Sequence, residues 1–229
     1  MSEHSLRKSG GGRGGEQSAS IEVSHHDPII LPAALSAVAG WVDAIAFVAL
    51  GGYFVSFMSG NTTRGAVDAS TGGPWGIAVL VVAAFVGGVV AGTVLQRLLP
   101  ARPESAALGL VAALLAAASL GADRAPVLLV AALLAAAMGA VNVTFTRDRQ
   151  VSFGVTYMTG ALVKAAQGAV GRLWGERGTS WWRYLVLWGA IVVGALGGAL
   201  VSTALGLAAL WFALAAATIL LVITLARRA

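Results

Sequence analysis

Residues Tyr184–Ala226 read YLVLWGAIVVGALGGALVSTALGLAALWFALAAATILLVITLA, 43 residues without a charged side chain. One helix of that length would be about 65 Å long at 1.5 Å per residue, whereas a hydrocarbon core about 30 Å thick needs about 20 residues. The stretch must therefore fold back on itself inside a membrane. Ser202, Thr203 and Gly206, small or polar residues near its middle, mark the expected break. Two spans result, Trp181 to Thr203 and Gly206 to Ala226.

Four further apolar runs lie upstream: Ile29 to Leu50, Trp75 to Leu99, Ser105 to Ala122 and Ala125 to Thr146. Pro100, Pro103 and the Gly121/Asp123/Pro126 cluster mark turns between them. The composition agrees with this reading: 229 residues, 58% hydrophobic, 11% charged, mean hydropathy +0.83. Soluble domains carry roughly half apolar and about a quarter charged residues. The chain has no cysteine, so no disulfide framework is available, and its 3 histidines are not spaced as metal ligands, so no metal or other cofactor is expected. The net charge of +5 comes from basic residues scattered singly among apolar runs, which argues for loop charges that orient a membrane protein and against nucleic acid. Residues 1–28 are polar and glycine-rich, lack the apolar core of a signal peptide, and are expected to form a disordered cytoplasmic tail. Gly10 to Gly15 has no Gly-Lys-Ser/Thr ending and does not read as a phosphate loop. His25, His26 and Asp27 read as part of the solvated tail.

Two segments, Tyr53 to Ser70 and Phe153 to Arg172, are mixed in character, each with a basic residue in its middle, Arg64 and Lys164. They either span, giving eight crossings, or dip into the membrane or lie at its interface, giving six. With six crossings and a cytoplasmic N-terminus, 13 of the 15 basic residues fall inside, leaving only Arg64 and Arg124 outside. Eight crossings move Arg97, Arg102, Arg147 and Arg149 outside, against the positive-inside rule. The expected fold is thus an all-α integral membrane protein with six transmembrane helices and two polar membrane-dipping or interfacial helices.

The chain also repeats itself. Gly40-Trp41-Val42-Asp43 has a counterpart in Gly139-Ala140-Val141-Asn142, and Phe57-Met58-Ser59-Gly60 in Tyr157-Met158-Thr159-Gly160, with Arg64 matching Lys164. Gly88 and Gly92 correspond to Gly194 and Gly198. The membrane domain, residues 29–226, therefore divides into pseudo-symmetric halves, 29–122 and 125–226. Three crossings per half require opposite orientations, the inverted-repeat layout of many secondary transporters.

Asp43 alone among the 10 acidic residues sits deep within a full-length apolar run. An ionised carboxylate there costs several kcal/mol on insertion scales, so it must face protein or water, be paired, or be protonated. Asn61, Arg64 and Asp68 share a helix face at i, i+3 and i+7; Arg64 can pair with Asp68, or with Asp43 if the polar segment folds back. Gly60 permits close backbone approach, and Ser59, Thr62 and Thr63 bring hydroxyls. In the second copy Asn142 replaces Asp43 and Ala161 replaces Asn61, while Thr159 and Lys164 remain, which points to one asymmetric site. The candidate binding residues are Asp43, Ser59, Gly60, Asn61, Arg64, Asn142, Thr159 and Lys164. Glycines such as Gly88 and Gly194 read as helix-packing residues, and Trp75, Trp174, Trp181 and Trp182 as an aromatic belt. No nucleophile elbow, His-Glu-x-x-His or Walker loop occurs, so no enzyme is expected.

Gly40-Trp41-Val42-Asp43-Ala44, followed by Leu50-Gly51-Gly52-Tyr53-Phe54-Val55-Ser56-Phe57-Met58-Ser59-Gly60-Asn61-Thr62, resembles the signature of the YoaK-like bacterial membrane proteins. That pattern is a Gly-x-x-Asp segment, then an aromatic-rich stretch ending in Thr-Gly-Asn. The resemblance covers roughly Ile30 to Ala226 and carries over Asp43, Gly60 and Asn61; Ser59 stands where the family usually has threonine. It implies a multi-pass inner-membrane protein with no established activity. The functional expectation is binding or transport of a small polar solute, with Asp43 as binding acid or proton carrier. A non-transporting scaffold or regulator is the alternative. The expected partners are the lipid bilayer and that solute or proton, with homo-oligomerisation an allowed state and both termini cytoplasmic.

Overall fold

The computed structural model describes residues 29–144, 146–147, 150–151, 156–175 and 180–227. The tail expected over residues 1–28 lies outside them, as do its His25, His26 and Asp27 and the glycines at 10–15. The described residues are helical almost throughout: α1 (Ile30–Ala49), α2 (Met58–Thr71), α3 (Gly76–Leu98), α4 (Pro103–Gly121), α5 (Val127–Asn142), α6 (Met158–Leu173), α7 (Trp181–Leu205) and α8 (Leu210–Ala226). All six apolar runs are helices within a few residues of their expected limits, and the two polar segments supply α2 and α6. Prolines set several of the starts. Pro32, Pro74, Pro103 and Pro126 stand in or just before the first turns of α1, α3, α4 and α5, where a missing N–H costs nothing.

Four stretches are long and apolar enough to cross a membrane: α1, α3, α4 and the 46-residue run Trp181–Ala226. That last run is broken where expected. Gly206 takes φ +54, a left-handed conformation that costs other residues energy, and opens a 3₁₀ turn over Gly206–Ala209 before α8. One boundary differs. The apolar run expected to continue to Thr146 ends as a helix at Asn142, and Thr146–Arg147 instead pairs antiparallel with Gln150–Val151. The helix closes on a tightened turn, with the Val143 and Thr144 N–H groups donating to the carbonyls three residues back, Ala140 at 3.3 Å and Val141 at 3.1 Å.

The core is formed by α1, α4, α5 and the inner faces of α7 and α8, with Leu35, Leu108, Leu115, Leu134, Met138, Leu187 and Leu210 fully buried. The outer faces are equally apolar. Val79, Val86, Val90 and Val94 form an exposed stripe on α3, and Val193, Leu196 and Leu200 one on α7. Surfaces of this kind, on helices of this length, are made for lipid contact.

Two closely packed helix pairs organise the bundle: α1 with α7, and α3 with α5. A Cβ on Gly194 would overlap the Ala37 carbonyl, and one on Gly198 would overlap the backbone of Trp41. In the other pair, a Cβ on Gly88 would overlap the Ala136 carbonyl, and one on Gly92 would crowd Val143 and Ala140. Gly40 in turn meets Ile191 and Ala195, as Gly139 meets Phe85 and Val89. In both pairs the residue numbers rise together, so the partners run parallel. Small residues are required because the backbones themselves are in contact.

Candidate functional site

The Asp43 side chain lies six residues before the end of α1, on the turn that the chain revisits after reversing at Gly51 and Gly52. Both glycines have positive φ, +63 and +99, which permits a tight reversal that a Cβ would strain. Tyr53 to Ser56 then run back along α1. The backbone N–H groups of Val55 and Ser56 donate to Asp43 Oδ1 at 2.8 and 2.9 Å, and the Ser56 hydroxyl donates to Oδ2 at 2.5 Å. Three hydrogen bonds thus satisfy the oxygens of an acid held on an apolar helix. Val55 and Ser56 are themselves buried, so without Asp43 their amides would have to find another acceptor.

Asn61 fastens the same connector from the other side. Its Nδ2 donates to the Phe54 carbonyl at 2.7 Å and its Oδ1 accepts the Phe54 N–H at 2.8 Å, so a side chain mimics the pairing of a β-strand. Asn61 is fully buried. Gly60 is explained by packing, since a Cβ there would run into the Phe57 ring. Ser59 lies on the exposed face of α2, and Thr62 bonds back to the Met58 carbonyl at 2.9 Å.

Arg64 is not the partner of Asp43. It forms an ion pair with Asp68, Nε to Oδ2 at 3.7 Å, donates to the Gly52 carbonyl at 3.3 Å, and lies over the Tyr53 ring at 4.9 Å. The i, i+4 spacing places Asp68 directly beside it, whereas Asp43 is already engaged by the connector. Tyr53 is fully buried and its single hydroxyl proton is shared between Asp68 and the Pro74 carbonyl, the latter at 3.2 Å. Burial, reinforced by the Asp68 carboxylate, pushes the Tyr53 phenol above its usual range. The phenol therefore remains a proton donor at neutral pH.

The second-half residues lie on elements other than those around Asp43. Asn142 donates to the Met138 carbonyl at 2.8 Å, while its Oδ1 accepts from the Thr156 N–H at 3.3 Å and the Thr156 hydroxyl at 3.1 Å. Thr156 is to Asn142 what Ser56 is to Asp43, one connector residue tied by N–H and hydroxyl to the same turn of the preceding helix. Thr159 is exposed in the first turn of α6, and Lys164 Nζ lies 5.7 Å from the Tyr184 ring on α7. Near the end of α3, Gln96 donates to the Val143 carbonyl at 2.6 Å and closes one end of α5.

The structure thus brings Asp43 and Asn61 together around Tyr53–Ser56, with Gly60 and Arg64 supporting them. In the second half Asn142 holds Thr156, while Thr159 and Lys164 stand on α6. Ser56, Tyr53 and Thr156 escaped the candidate set, although Ser56 and Thr156 stand 100 residues apart, in register with Gly60 and Gly160. That shared register is the signal that could have found them. Among the described residues no group of three or more His, Cys, Asp or Glu side chains could hold a metal ion.

No solved structure matches the chain. It is 37% identical over 194 residues to a UPF0700 transmembrane protein of Rhizobium meliloti (strain 1021), covering 84% of each chain. The family model described as "Protein of unknown function (DUF1275)" matches residues 31–223. With that match over most of its length, and the satisfied Gly-x-x-Asp connector at its centre, the chain belongs to the DUF1275 family of membrane proteins.

Proposed function

We propose that this protein is a six-span, inverted-repeat protein of the bacterial inner membrane that binds or transports a small polar solute, with Asp43 as its binding or coupling acid. The observation that carries the reading is the reciprocal exchange of helices. Gly194 against Ala37 and Gly198 against Trp41 in one pair match Gly88 against Ala136 and Gly92 against Ala140 in the other. Subtracting 106 from the α7 numbers gives the α3 numbers, and adding 99 to the α1 numbers gives the α5 numbers. The first helix of each half packs on the glycine helix of the other, as two copies related by an axis would.

The crossing count is supported by Tyr53. Its bond to the Pro74 carbonyl holds the start of α3 beside the end of α1, so α2 leaves and returns on one side of the bilayer. At 14 residues, about 21 Å long, α2 is also short for a span. Three crossings per half then invert one half relative to the other and put both termini on one side, which the basic residues make cytoplasmic. Asp43 is ionisable where its counterpart Asn142 is not, although both hold a connector in place. A neutral acceptor suffices for that task, so an acid at this position goes beyond what the clamp needs, which supports a role in taking up a proton or a cationic group of the solute.

The test is reconstitution into proteoliposomes loaded with a pH-sensitive dye and challenged with amino acids, sugars, polyols and nucleobases. At least one class is expected to shift the lumenal pH, and Asp43→Asn to reduce that response at least tenfold. An unchanged response in Asp43→Asn would remove Asp43 from the mechanism. A second reading, a non-transporting scaffold, draws on the full engagement of the Asp43 carboxylate by Val55 and Ser56. It gains if no solute gives a response while Asp43→Ala lowers thermal stability.

A further inference from the structure

The helices α2 and α6 occupy matching places, α2 against α3 and α6 against α7. Their inner faces match as well: Gly65 and Ala165, 100 residues apart, are both buried. Their outer faces do not. At the positions where α2 exposes Thr62, Thr63 and Ser70, α6 exposes Leu162, Val163 and Val170. Beyond them, Gly72, Gly73 and Pro74 are replaced by Arg172, Leu173 and Trp174. Leu173 and Trp174 are 81% and 76% exposed, among the most open apolar side chains of the described residues. On a helix all these apolar positions fall within one face, opposite the residues that meet α7.

Charge follows the same division. The stretch 50–75 holds Arg64 balanced by Asp68, whereas 143–180 holds five basic residues against Asp148 and Glu176. An apolar face that ends at an exposed tryptophan, with the exposed Arg172 on the flank beside it, on a helix packed against α7 and within a basic stretch, suits the acyl–headgroup boundary. The face at the same place in α2 carries the hydroxyls of Thr62, Thr63 and Ser70 beside one exposed valine, Val67, and suits water better.

We propose that α6 is a docking element for anionic phospholipid, its outer face seated among acyl chains and the Arg172 guanidinium on the headgroup phosphate. Trp174 sits at headgroup depth beside it. The two ends of the molecule therefore differ in kind: α2 meets water and α6 meets lipid.

The chain contains no cysteine, so single-cysteine variants of the full-length protein can be labelled at one site. Leu173→Cys and Thr63→Cys would each carry a bimane fluorophore in vesicles containing either dibrominated phosphatidylglycerol or dibrominated phosphatidylcholine at equal mole fraction. Gel filtration of each variant checks that it remains folded. The expected result is strong quenching at residue 173, at least twofold greater with the glycerol lipid, and weak lipid quenching at residue 63 with access to aqueous iodide. Adding Arg172→Gln to the Leu173→Cys protein is expected to bring the two lipids to equal quenching. Iodide access at 173 without lipid quenching would overturn the docking. Equal quenching by both lipids, or a preference that survives Arg172→Gln, would overturn the role of anionic charge.

Discussion

Asp43 and Asn142 do the same mechanical task with different chemistry, and the difference is measurable. Asp43→Ala removes the acceptor for three donors, two of them buried amides, and unmet buried donors cost about 1–3 kcal/mol each. We expect it to destabilise the protein by about 2–4 kcal/mol, read as the thermal midpoint in detergent. Asp43→Asn keeps an acceptor for the two amides, and its amide group can donate to Ser56. It should cost less than half as much, so the two variants separate the clamp from the charge. Tyr53→Phe removes one hydroxyl that serves both Asp68 and Pro74, and a loss of about 1 kcal/mol is expected in the same measurement.

For the helices, the decisive contacts are those in which a glycine meets a backbone carbonyl. Gly88→Leu and Gly194→Leu place bulk against the carbonyls of Ala136 and Ala37, and no rotamer relieves a clash that begins at Cβ. Because the two sites are counterparts, both substitutions are expected to lower the yield of folded protein severely and to a similar degree on gel filtration; a mild effect at either would break the equivalence. The existence and rough limits of these helices were legible in the sequence, because apolar length and proline placement are local properties. The break at Gly206 was legible for the same reason. The pairing of α1 with α7 and of α3 with α5 was not, since small residues announce close packing without naming the partner. The role of Asp43 was legible only in part. Its position among apolar neighbours required a partner, but two of its three donors are backbone amides, which no residue type betrays. Arg64, the only basic residue in the first polar segment, was the visible alternative and turned out to serve Asp68 and Gly52.

Taken whole, the molecule is an interleaved bundle in which α1 depends on α7 and α5 on α3. Neither half, 29–122 nor 125–226, is expected to give a stable product when expressed alone, whereas co-expression of the two should recover a complex detectable by affinity capture. Recovery of a folded single half would show that the exchange is dispensable. Reporter fusions after Arg102 and Arg149 test the crossing count. Cytoplasmic signals are expected at both, and an extracytoplasmic signal at either would sink the six-span arrangement.

The hydrogen bonds of Asp43 also bear on the order in which the chain is made. Trp41 reaches the Ala209 carbonyl across 168 residues, while the donors to Asp43 lie only 12 and 13 residues downstream. At a synthesis rate of about 5–20 residues per second, α1 waits on the order of ten seconds or more for its companion helix. Throughout that interval the Asp43 side chain can be shielded by its own connector, so the nascent protein need not hold an unpartnered acid in lipid until its last helices emerge.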